Sequence, residues 1–172
     1  MKGKASYTLF FLVTLMVQIF LLNNLTVSVL FAPMAYVACI IMMPLDASPL
    51  KMLLTSLVIG LLMDLTMGTD GLNIIATLPL GFFRRPILNL VAGFSDFDKE
   101  ESAPSEKRLG TYRYHRYVVT MVVLHSLLFF GVEHLTFDNF GFFATRLLCS
   151  TLASLAMVYF LLLLFTSKLS VK

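Results

Sequence analysis

MLLTSLVIGLLMDLTMGTDGLNIIATLPLGFFRR, residues 52–85, is the stretch whose reading decides the fold. Twelve uncharged residues, Met52 to Met63, lead into a turn that runs from Asp64 to Gly71, and twelve more, Leu72 to Phe83, close on Arg84-Arg85. Lys51 stands just before the first run. Cations at both ends with acids and glycines between them describe a hairpin in lipid, its two ends on one side and its turn on the other. Each run gives about 18 Å of helix at about 1.5 Å per residue. A full crossing of about 30 Å takes about 20 residues. The hairpin is therefore expected to be stunted, with a turn that dips below the headgroups. Lipid cannot satisfy the amides of such a turn, so the reading encloses it within a bundle.

Working outward, the rest of the chain follows the same logic. Apolar runs at Ser6–Leu22, Leu25–Met43, Tyr117–Val132 and Phe142–Phe165 join the hairpin helices, Lys51–Thr66 and Gly71–Phe83, to make six spans. Of 13 Lys and Arg, all but Arg146 fall in segments that lie on one side of that threading. The opposite loops, at Asn23–Asn24, Asp64–Asp70 and Glu133–Asp138, hold neither. Such asymmetry places the basic side in the cytoplasm, with both chain ends there, and predicts a multi-pass membrane protein with a single polytopic domain over residues 1–172. Composition agrees: 58% of residues are hydrophobic and 13% charged, against about 25% charged in soluble domains. Lys2 and Lys4 before Leu9–Leu22 imitate a secretion signal, but no small-x-small cleavage pattern follows, so an uncleaved first span is the reading. Residues 95–114 are charged and aperiodic and are expected to form a mobile cytoplasmic loop. Pro86–Phe94 is expected as a separate interfacial helix, and Tyr112–Tyr117 as an aromatic and cationic belt at the headgroups. Pro33 and Pro79 are expected to kink the second and fourth spans.

Few residues suggest chemistry. Arg146, one turn into the last span, is costly there and calls for a carboxylate from Asp64, Asp70 or Glu133; Asp64 is the favoured partner, and snorkelling to the interface is the alternative. His125, central in the fifth span, reads as a hydrogen-bonding residue between helices rather than a proton relay. Cys39 and Cys149 read as small core residues, and the three histidines share no metal-ligand spacing. No nucleophile elbow or Walker loop occurs, and the net charge of +3 flanks apolar runs rather than forming a nucleic-acid surface. Neither catalysis nor a cofactor is expected. Thr145, Cys149 and Ala153 form one small-residue row on the last span and Ser150 with Ser154 another, marking a close packing face.

The stretch Gly60-Leu-Leu-Met-Asp64-Leu-Thr-Met-Gly68-Thr-Asp-Gly71-Leu-Asn73, followed by an apolar helix closing on Arg84-Arg85, resembles the signature of the MreD family of bacterial rod-shape-determining membrane proteins. The resemblance covers the whole chain in layout, and in specific residues only about Val58 to Pro86. It implies a six-helix bundle similar to the S components of energy-coupling-factor transporters. It also implies a scaffold role in side-wall peptidoglycan synthesis, beside MreC, RodA with its class B transpeptidase, and, indirectly, the MreB cytoskeleton. Gly60, Asp64, Gly68 and Gly71 match the signature and Arg84 with Arg85 its basic close. The glycines are expected to permit a tight buried turn, and Asp64 to cap a helix or pair within the bundle. The alternative is a substrate-binding S component of a vitamin transporter, which the short, sparsely polar outer loops disfavour.

Overall fold

The computed structural model describes residues 2–24, 30–93, 103–134 and 139–169, and among these residues every regular element is helical. Helix α1 (Lys2–Met16) runs on through a π-turn at Val17–Leu21 and a 3-10 turn at Leu22–Asn24. A short α2 (Val37–Ile41) is followed by α3 (Pro49–Met67), α4 (Leu72–Ala92), the one-turn α5 (Glu106–Leu109), α6 (Thr111–Glu133) and α7 (Phe140–Leu169). Among the described residues, five stretches are long and apolar enough to cross a membrane: Tyr7–Asn24, Pro49–Met67, Leu72–Val91, Thr111–Glu133 and Phe140–Phe165.

The hairpin helices are longer than their uncharged runs suggest. Ser48 caps α3, its Oγ accepting from the Lys51 N–H at 3.4 Å, and Pro49 supplies a φ already suited to a first helical turn. The helix then continues past Asp64 for a total of 19 residues. Helix α4 likewise runs through Arg84, Arg85 and Pro86 for 21 residues. The expected interfacial helix is thus the continuation of α4, with Phe94 outside the described residues. A charge ends a membrane helix only if it must reach water, and Asp64 and Arg84 are both satisfied by protein. Gly68 (φ 65°) and Gly71 (φ 89°) reverse the chain in the left-handed region, which a side chain would oppose. The turn itself is not enclosed, because Gly68 and Asp70 are exposed.

Helices α3 and α4 meet along a seam of small residues. A Cβ on Gly60 would collide with the Thr77 hydroxyl and lie 2.8 Å from the Ile74 Cα; one on Gly81 would collide with Ser56. Ser56 and Gly60 face Thr77 and Gly81, four residues apart on each helix, and Thr77 Oγ1 donates across the seam to the Ser56 carbonyl at 3.0 Å. Gly60 therefore acts in helix packing and not in the turn. From this pair the bundle continues through α6 and α7 to α1, which meets α7 where Phe10 packs edge-on to Phe165.

The second apolar run departs furthest from expectation. Leu30 to Tyr36 is not helical, α2 has only five residues, and Pro33 lies in the non-helical part. Yet Met34 to Ile41 is wholly buried. Hydrogen bonds place Leu30 and Ala32 beside Ser150 of α7, and Ile41 beside Tyr117 near the start of α6. The segment thus passes through the bundle toward the end that carries Arg84, as a strand of irregular backbone with one short helix. It crosses the bundle, but not as a membrane-length helix. Helix α6 begins at Thr111, so the Tyr112–Tyr117 belt is its first turns. Of the expected mobile loop, residues 95–102 lie outside the described residues, while Ala103 and Leu109 are packed into the core.

Candidate functional site

The site is the set of polar side chains that grips the irregular crossing. Non-helical backbone at membrane depth needs a partner for each N–H and C=O, and the surrounding helices supply them. Gln18, in the π-turn that continues α1, accepts the Ala35 N–H at 2.7 Å and the Tyr36 N–H at 3.3 Å through Oε1, while its Nε2 donates to the Pro33 carbonyl at 3.2 Å. Ser150 of α7 accepts the Ala32 N–H and donates to the Leu30 carbonyl, both at 3.1 Å. One turn on, Ser154 accepts the Met34 N–H at 2.8 Å. The serine row is indeed a packing face, but what approaches it is bare backbone.

Arg84 closes the lower end of the clamp. It is fully buried, and each of its five N–H bonds has an acceptor. Nε donates to Tyr117 Oη at 3.0 Å, Nη1 to the Pro44 carbonyl at 3.3 Å and to Met52 Sδ at 3.8 Å, and Nη2 to the carbonyls of Ile41 and Met43. Tyr117 Oη in turn donates to the Ile41 carbonyl at 3.0 Å. The guanidinium thus covers the carbonyls left free where α2 ends, a position that favours positive charge. Arg85 reaches the Ala47 carbonyl at 3.1 Å, holding the link from the crossing to α3.

Asp64 anchors the opposite end. Gly71 occupies the N-cap of α4 and has no side chain to offer, so the carboxylate from the last turn of α3 takes that part. Asp64 Oδ1 accepts from the Asn73 N–H at 2.9 Å and Oδ2 from the Ile74 N–H at 3.1 Å. Oδ1 also accepts from Thr69 Oγ1 at 2.6 Å and Asn73 Nδ2 at 3.0 Å. A carboxylate at the N-terminus of a helix is favoured by both hydrogen bonding and the macrodipole. Asn73 then passes the network inward: its Oδ1 accepts from Tyr36 Oη at 2.5 Å, and Tyr36 Oη lies 2.9 Å from His125 Nε2. The set is satisfied with His125 protonated on Nε2. His125 therefore bonds to the crossing segment and not to a helix of membrane length.

Arg146 is apart from this network. Its Nη2 lies 3.0 Å from Glu133 Oε1, and its Cζ is 5.5 Å from the centre of the Phe130 ring. The favoured Asp64 pairing is overturned, because Asp64 is committed to α4 and α6 presents a carboxylate one helix away. The sequence reading singles out Asp64, Arg84 and His125 and puts Tyr117 in the headgroup belt, but gives no role to Gln18, Tyr36 or Asn73. A Gln inside a strongly apolar first span is the one signal that marks the clamp beforehand. Cys39 and Cys149 are free thiols, and among the described residues no cluster of His, Cys, Asp or Glu could hold a metal ion.

Fold and site together define an all-α membrane protein whose polar interior holds its own backbone in place. Compared with family models, curated proteins and solved structures, the chain matches none.

Proposed function

We propose that this chain is a non-catalytic scaffold subunit of the bacterial elongation (Rod) complex, related to the MreD proteins its hairpin resembles. It would lie in the cytoplasmic membrane with its basic end inside the cell, bind MreC, and help direct side-wall peptidoglycan synthesis by RodA and its transpeptidase. One observation carries the reading: every residue of the resemblance has a structural task. Gly60 admits Ile74 and Thr77, Asp64 caps α4, Gly68 and Gly71 turn the chain, and Arg84 and Arg85 tie the crossing down. A motif spent on rigidity suits a protein whose output is a fixed surface for other transmembrane helices. The apolar outer face of α3, with Leu50, Leu54, Leu57, Leu61 and Leu65 exposed, is such a surface.

The test is co-purification of the tagged full chain with MreC from a shared membrane, beside thermal melting with a panel of vitamins. Retention of MreC, lost when Leu57 and Leu61 are changed to large polar residues, supports the scaffold. A vitamin that raises the melting midpoint, with no MreC retained, overturns it in favour of a transporter S component.

A further inference from the structure

The basic end of the bundle divides into cations used by the protein and cations turned outward, and the sequence cannot make that division. Arg84 spends all five donors internally, and Arg85 reaches the Ala47 carbonyl. Lys107, Arg113 and Arg116 are exposed. Two of them sit in a particular place on α6. Tyr112, Arg116, Val119, Val123 and Leu127 follow one another at steps of four, three, four and four residues, so they share one face of the helix. That face is open: Tyr112 is 72% exposed, Val119 38% and Leu127 48%. Its lower part is apolar and suited to acyl chains; its upper part is a guanidinium over a phenol, with Arg116 Cζ 5.4 Å from the centre of the Tyr112 ring. Arg113 precedes Arg116 by three residues on the same helix, a spacing that makes them surface neighbours. A Cβ on Gly93 would lie 3.6 Å from Arg113 Nη1, which puts this guanidinium at the end of α4, near the exposed Leu90.

We infer that Arg113, Arg116 and Tyr112 form a headgroup site for an anionic phospholipid, whose chains lie along Val119, Val123 and Leu127. Charge and depth carry the assignment together. A guanidinium pairs with phosphate oxygens through two parallel N–H bonds, a tyrosine belongs at the interface, and the apolar stripe begins within one turn of Arg116. The acids among the described residues at this end do not close the site: Glu106 lies 3.5 Å from His115 Nε2, and Asp46 is on the link before α3. Asp96, Asp98, Glu100 and Glu101 lie outside the described residues, so the experiment uses the full chain.

Purified full-length protein in detergent is titrated with phosphatidylglycerol and, separately, phosphatidylcholine of the same chains, and bound lipid is counted by native mass spectrometry. The wild type is expected to prefer phosphatidylglycerol. The double variant Arg113→Gln/Arg116→Gln is expected to lose about thirtyfold of that preference, the factor for two cations at a membrane surface, while Arg113→Lys/Arg116→Lys, which keeps the charge but loses the paired N–H geometry, falls between wild type and the Gln pair. Should the Gln pair not fold, the single Gln variants carry the test, each expected to lose about fivefold. The inference is overturned if the wild type shows no preference, if the Gln variants keep it within about twofold, or if the Lys pair falls as far as the Gln pair.

Discussion

Asp64→Ala isolates the cap that joins the two hairpin helices. The carboxylate accepts four hydrogen bonds: from the N–H groups of Asn73 and Ile74, from Asn73 Nδ2 and from Thr69 Oγ1. Losing an N-cap costs about 0.5–2 kcal/mol, and a buried donor left without its acceptor costs about 1–3 kcal/mol. Asn73 Nδ2 keeps Thr69 Oγ1 at 2.8 Å, so the second figure applies only in part. The sum is about 2–4 kcal/mol. For a chain of this size it corresponds to a fall in the thermal midpoint of about 5–15 °C, at about 2–4 °C per kcal/mol. Asp64→Asn retains an acceptor for Asn73 but turns an N–H toward Ile74, and is expected to fall between wild type and the Ala variant. The measurement is reversible unfolding in mild detergent followed by circular dichroism. A double variant Asp64→Ala/Asn73→Ala should be less destabilised than the sum of its singles, because the two residues share one network. If Asp64→Ala melts within about 1 °C of wild type, or if the pair is additive, the cap is not what holds α3 to α4.

Three further outcomes follow from the same geometry. Arg146→Ala is expected to cost about 1–3 kcal/mol, between the limits for exposed and buried pairs; the swap Glu133→Arg/Arg146→Glu should recover part of it in a melting assay, whereas Asp64→Arg/Arg146→Glu should recover none. Gly60→Ala pushes a methyl group into the backbone of Ile74 and should destabilise by about 1–3 kcal/mol, while Gly131→Ala, with open space around its Cβ position, should be neutral or stabilising by up to about 1 kcal/mol in the same assay. Arg84→Lys offers three donors where five acceptors wait, so amide exchange of residues 37–43 should accelerate; exchange unchanged from wild type would show that the carbonyls of Ile41, Met43 and Pro44 do not depend on Arg84.

What the sequence settles alone is what lipid imposes segment by segment. Apolar length, basic residues at the ends of apolar runs, and the Gly68 and Gly71 turn are local facts, and each constrains its own stretch without reference to the others. The presence of a hairpin between Lys51 and Arg84 and an all-helical membrane bundle follow from them. Helices α3 and α4 run past the charges that bound their apolar runs, because a buried charge can be satisfied by protein instead of water. The partner of Arg146 and the form of the second crossing were decided only in three dimensions. An apolar run reads the same whether its amides bond along its own helix or outward, and the groups that take them outward, Gln18, Arg84, Tyr117, Ser150 and Ser154, are scattered across four other helices. Long-range partners leave no periodic trace in the segment they hold, so only the packed bundle shows that this stretch crosses it without a membrane-length helix of its own.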